Sequence, residues 1–165
     1  MIIGPRRLAL IGAIVAVALA IIFYPLIVRT PIDLDKVSIE LTKVALKSGT
    51  TGEEELSLEL TLTLTNLNNF TLTTSRIDYE LFADGASIGP GVLSYEDVPP
   101  NGRPALFSGD SVPLRHLFTY KYSDSQAETF NKIMSNSTQI AWNVTGSAFI
   151  ESGTTLETKQ FSDSL

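Results

Sequence analysis

The chain holds a single histidine, His116, and no cysteine, so the side chains that most often carry covalent, redox or transition-metal chemistry are nearly missing. A Ser-His-Asp triad would have to be built on His116, and no serine sits in a nucleophile-elbow sequence. A zinc or copper centre draws on several His or Cys ligands, which this chain cannot supply alone. What remains is carboxylates. Asp78/Glu80 and Glu96/Asp97 are close pairs and Glu53-Glu54-Glu55 is a run; such groups can hold a hard cation or share acid–base work. Asp78 and Glu80 fall two apart in a strand pattern, on the face opposite Ile77, Tyr79 and Leu81, where solvation accounts for them. The glutamate run reads as a solvated loop tip, and His116 as a surface or strand-edge residue. Tyr79, Phe82 and Trp142 could line a ligand cleft, yet Trp142 is in phase with Ile140 and Val144, which assigns it to the core. With no Gly-rich phosphate loop and no basic, aromatic-interleaved patch, the expectation is a non-enzyme with no catalytic residue, no metal, no cofactor and no nucleic-acid partner.

Chemistry added after synthesis is the other candidate. Asn69-Phe70-Thr71, Asn136-Ser137-Thr138 and Asn143-Val144-Thr145 are acceptor sequons for N-glycosylation. Asn143 lies in a predicted strand, which makes it the poorest acceptor unless its side chain faces water.

The elements that would position these residues are mostly strands. Leu56, Leu58, Leu60, Leu62 and Leu64 alternate with Ser57, Glu59, Thr61, Thr63 and Thr65, the period-two pattern of a half-buried strand. Val37, Ile39 and Leu41 alternate likewise, and Val44 and Leu46 resume in the opposite phase, which predicts a bulge near Thr42-Lys43. Ile77, Tyr79 and Leu81 lead to Asp84-Gly85, a favoured hairpin dipeptide. A return strand over residues 86–93 is loosened by Gly89-Pro90-Gly91, and Val98-Pro99-Pro100-Asn101-Gly102 reads as a rigid surface loop. Residues 106–116 and 117–122 are two less regular strands, with Pro113 limiting the first to an edge or a break. Residues 123–135 form the one helical candidate, with Ser123 and Gln126 as a capping box and Ala127, Phe130 and Met134 on its apolar face. Ile140, Trp142, Val144, Ala148 and Ile150 alternate again, and a last strand covers residues 154–161. About seven strands and one short helix predict a mainly β, immunoglobulin-like antiparallel sandwich.

Ahead of this domain, Leu8 to Val28 is a run of 21 uncharged, mostly apolar residues between Arg6-Arg7 and Arg29. As a helix it would extend about 30 Å, the depth of a hydrocarbon core. The expectation is a transmembrane signal anchor over residues 8–28, with residues 1–7 cytoplasmic by the positive-inside bias and residues 29–165 an extracytoplasmic domain at the cell membrane. A cleavable signal peptide is the rival, since Ala16-Val17-Ala18 and Ala18-Leu19-Ala20 fit its cleavage pattern. Pro25 predicts a kink or helix end. Ala9, Gly12, Ala13, Ala16 and Ala20 recur at helical spacing and would let a partner helix approach closely. Beyond Thr30 lie 9 basic and 18 acidic residues, a formal charge of −9, which opposes binding to nucleic acid or anionic lipid. Without cysteine this domain uses no disulfide, so packing must stabilise it.

Taken in order, the strand 56–65 ending at Asn66-Leu67-Asn68, the hairpin Tyr79-Glu80-Leu81-Phe82-Ala83-Asp84-Gly85, Ile88-Gly89-Pro90-Gly91, Val98-Pro99-Pro100-Asn101-Gly102 and Trp142-Asn143-Val144-Thr145-Gly146-Ser147-Ala148 resemble the late-embryogenesis-abundant type 2 family, also called the WHy (water stress and hypersensitive response) domain. The likeness covers nearly all of residues 32–161; Leu67 stands where the family usually has proline. It implies a non-catalytic seven-stranded sandwich, often behind an N-terminal span, tied to stress tolerance or membrane surfaces, with no catalytic residues to carry over. Three functions follow as expectations: a membrane-anchored binding or stress-protective module, a structural accessory subunit of a membrane complex packing through its helix, or a pilin-like or surface-layer subunit. Pilin processing wants basic residues before a glycine that precedes the apolar run, and here Gly4-Pro5 comes ahead of Arg6-Arg7.

Overall fold

A computed structural model of the chain describes residues 5–27, 31–47, 55–136 and 139–165. The chain divides into two compact units, Met1–Pro31 and Ile32–Leu165. In the first, helix α1 covers Pro5–Ile27. Proline at the first helical position costs nothing, because its missing N–H would have no partner there. Side chains from Ala9 to Tyr24 are exposed on every face.

The expected transmembrane span is corrected here. Among the described residues no helix is long and apolar enough to cross a membrane. Pro25 lies in the last turn of α1, which ends at Ile27.

The second unit is a β-sandwich. Its strands are β1 (Val37–Leu46), β2 (Glu55–Asn66), β3 (Leu72–Ala83), β4 (Ala86–Ser94), β5 (Ala105–Leu106), β6 (Ser111–Lys121), β7 (Trp142–Ser152) and β8 (Thr155–Ser164), with helix α2 (Ala127–Asn136) between β6 and β7. One sheet has the order β1-β2-β6; the other runs β4-β3-β7-β8, with β5 pairing β3. Every pairing is antiparallel. The described strands number eight rather than seven because the short β5 joins the edge of β3.

The leucine strand lies at the centre of its sheet, between β1 and β6. Leu56, Leu58, Leu60, Leu62 and Leu64 are buried, and so are Ser57 and Thr61 on the opposite face, so β2 is more than half-buried. Opposing them across the interior are Ile77, Tyr79 and Leu81 of β3 and Trp142, Val144, Ala148 and Ile150 of β7. Each such leucine is worth about 2–5 kcal/mol against truncation to alanine. The phase change in β1 is a bulge: the register with β2 shifts between Leu41 and Lys43. The β3–β4 hairpin turns on Asp84 and Gly85, whose φ angles of 50° and 82° are the left-handed pair that a tight two-residue hairpin needs.

Three local expectations differ from the structure. Residues 106–116 and 117–122 are not two strands: Phe107 to Asp110 form a turn, and β6 then runs unbroken through Pro113. Pro113 is tolerated because β6 is the outer strand of its sheet. The Ser123–Gln126 capping box does not form. Ser123 makes no capping bond, and Gln126 instead accepts from the Tyr120 hydroxyl (3.2 Å) and donates to the Ser87 carbonyl (2.7 Å), which ties the helix entry to β4 and β6. The buried residues of α2 are Phe130 and Ile133, while Met134 is exposed; Phe130 packs between the rings of Tyr120 and Tyr122.

Candidate functional site

The residues with chemical potential fall at three places in the sandwich. The first is the seam between β3 and β6. Tyr79 points inward from β3 and is buried, and its hydroxyl lies 2.6 Å from His116 Nδ1, with the two rings edge to face. Burial raises the Tyr79 pKa and lowers that of His116. The phenol therefore keeps its proton and the imidazole stays neutral, the tautomer of His116 setting which of the two donates. The pair joins the two sheets, and Gly91 makes room for it: a Cβ there would collide with the Tyr79 ring. Sequence reading made His116 a surface or strand-edge residue; it lies in the middle of β6, the outer strand of its sheet, and faces inward to a partner 37 residues away. The phase of His116 with Leu114 and Phe118 carried that signal.

The second place is the turn after β2. Asn66 is fully buried; its side chain donates to the carbonyls of Phe70 (2.8 Å) and Leu106 (2.9 Å) and accepts from the Asn68 amide (2.9 Å). Asn68, also buried, exchanges two bonds of 3.1 Å with the Asp33 backbone. Four chain segments are held by two amide side chains, and all of these partners are structural. The segment that carries much of the family resemblance is therefore a clasp.

The third is the outer face of the β4-β3-β7-β8 sheet, where Asp78, Glu80, Pro90, Thr145, Ser147 and Gln160 border an open trough of about 440 Å³. Register places Asp78 beside Ser147 and Glu80 beside Thr145, with Gln160 across from Ser147. Asp78 and Glu80 do share the solvent face, but both have partners. Arg76 pairs with Asp78 at 2.7 Å and reaches Glu96 at 3.4 Å, and Ser87 donates to Glu80. Among the described residues there is no group of three or more candidate metal ligands. Glu53 and Glu54 lie outside the described residues.

The sequence-predicted sites are not brought together. Asn69 is exposed in the bend after β2, and Asn143 is exposed on β7, so its side chain faces water although it belongs to a strand. Asn136 is the last residue of α2, and Ser137 and Thr138 of its sequon lie outside the described residues. Ala9, Gly12, Ala13, Ala16 and Ala20 are all exposed on α1, and a Cβ added at Gly12 would meet nothing within 4 Å.

Against this geometry, the solved structure of AT1g01470 from Arabidopsis thaliana is similar, with a TM-score of 0.50 at 14% identity over 78% of this chain and 75% of that one. The likeness is one of fold. A protein from Archaeoglobus fulgidus matches with a TM-score of 0.46 at 14% identity, over 76% of this chain and 94% of its own. A protein described as late embryogenesis abundant matches with a TM-score of 0.42 at 15% identity, over 96% of this chain and 88% of its own. No family profile and no curated protein matches the chain. Shared architecture at such identity fixes the arrangement of strands and leaves activity to be argued from the side chains.

Proposed function

We infer that the chain is a non-catalytic binding or stress-protective module of the late-embryogenesis-abundant type 2 kind, its sandwich kept at a lipid surface by the apolar α1. The observation that carries this reading is how the reactive groups are used. His116 is held by Tyr79, Asn66 and Asn68 clasp four segments, and Arg76 ties Asp78 to Glu96. Each spends its polarity on holding strands together, which suits a protein whose task is to stay folded while water is withdrawn. The acidic exterior supports it, since like charge keeps such modules apart and hydrated. The exposed apolar side chains of α1, among them Leu10, Ile14, Ile21 and Phe23, supply the surface that seeks lipid.

A second reading makes the chain an accessory subunit of a larger complex. It is favoured by the exposed small residues Ala9, Gly12, Ala13, Ala16 and Ala20, which allow another helix to come close.

Freeze–thaw protection tests the first reading. The purified full-length chain, mixed with a freeze-labile reporter enzyme, is expected to preserve activity more effectively than an equal mass of serum albumin, with the sandwich still folded afterwards by circular dichroism. Protection no better than albumin would contradict a protective role.

A further inference from the structure

We propose that the trough on the outer face of the β4-β3-β7-β8 sheet binds a neutral, polyhydroxylated ligand, a short saccharide. The trough follows from side-chain length. Its floor is β7, where Thr145, Gly146 and Ser147 are short, and its sides are the longer Asp78, Glu80 and Pro90 on one flank and Gln160 on the other. Gly146 lets β3 and β7 lie close beneath the trough: a Cβ there would point inward, in phase with Val144 and Ala148, into the Asp78 carbonyl oxygen and the Tyr79 backbone. The opening of about 440 Å³ lies within the ~300–1,000 Å³ of small-molecule clefts.

The lining selects the ligand by elimination. An anion would meet two carboxylates. A metal ion would find too few ligands among the described residues, and Asp78 is already neutralised by Arg76 at 2.7 Å. An apolar molecule would strip water from hydroxyls and an amide without replacing their hydrogen bonds. A polyol fits because every hydroxyl both donates and accepts. It can give protons to the free lone pairs of Asp78 and Glu80 and exchange bonds with Thr145, Ser147 and Gln160, whose side chains make no hydrogen bond to the protein among the described residues. Neighbouring strands set these groups about 4.8 Å apart, a spacing that hydroxyls two carbons apart on a sugar ring can bridge. The site is independent of the protective reading.

The test is titration of the full-length chain, ¹⁵N-labelled, with trehalose and with maltotetraose, following backbone amide shifts. Saturable shifts confined to residues 78–80, 145–147 and 160 are expected with at least one of the two sugars. Ser147→Trp, which fills the floor from an outward-facing position, should abolish them. Gln160→Ala should weaken binding by about tenfold or less, the loss of one neutral hydrogen bond. Thr119→Trp, on the outer face of the other sheet, should leave them unchanged. Should Ser147→Trp fail to fold, Gln160→Ala decides. No saturable shift with either sugar, or shifts that the trough variants leave intact, would overturn the proposal.

Discussion

The Asp163 carboxylate in β8 accepts a 2.7 Å hydrogen bond from the backbone amide of Leu41 in β1, a contact spanning 122 residues. β1 and β8 are the outer strands of different sheets, and Leu41 sits where the β1–β2 register slips. The bulge is therefore closed by a side chain from the opposite sheet. Lys159, also in β8, reinforces the same edge by donating to the Leu34 carbonyl at 2.8 Å.

Asp163→Ala should destabilise the sandwich by about 1–3 kcal/mol, because it leaves a part-buried amide without its charged acceptor. Asp163→Asn keeps an acceptor oxygen and should recover more than half of that loss. Urea denaturation followed by tryptophan fluorescence measures both, with the single Trp142 buried in the core as reporter.

Asn66→Ala should be more damaging, by about 3 kcal/mol or more, since it orphans two carbonyls and the Asn68 amide in one step. Asn69→Ala, three residues on and exposed, should change stability by less than about 0.5 kcal/mol. Equal effects at the two positions would remove the clasp from the account.

Stability should depend on pH through His116. Burial lowers its pKa below the ordinary 6.5, so between the lowered value and 6.5 the unfolded chain binds a proton that the folded chain does not. Stability then rises with pH across that window. It is complete above 6.5 and lost as pH falls through the lowered folded value, where the half-buried imidazole must take on charge away from water. His116→Gln should flatten this part of the profile in thermal melts. Asp84, its pKa lowered by Lys132 and the Ala141 amide, loses its contribution only in the more acidic range below its ordinary 3.8.

Gly146→Ala should cost about 3 kcal/mol, because the new methyl meets the Asp78 carbonyl and the Tyr79 backbone rather than a flexible side chain. Strand β7 would have to separate from β3. Hydrogen exchange at the amides of residues 77–81 and 144–148 should accelerate together; exchange faster only at residue 146 would contradict this coupling.

Much of the sandwich was legible from period and punctuation. The leucine alternation located β2, the phase reversal located the bulge at Thr42, and Asp84-Gly85 located the hairpin. What stayed hidden depends on contacts between residues distant in sequence. Nothing local in Asp163 marks it as the acceptor for Leu41, and Gln126 reads as a capping residue until β4 and β6 bring Ser87 and Tyr120 beside it. Ile133 rather than Met134 is buried beside Phe130, a choice set by which face α2 turns to the sandwich. The trough was invisible because its floor comes from short residues in β7 and its sides from three other strands.

The central claim is that this chain acts as an autonomous module rather than as one part of an assembly. Mild-detergent extraction of cells expressing it at native level, followed by native sizing and mass spectrometry of co-migrating chains, tests that most directly. The account predicts a species near the chain's own 17.9 kDa plus bound detergent and any glycan. A large, stoichiometric complex that withstands extraction would contradict it.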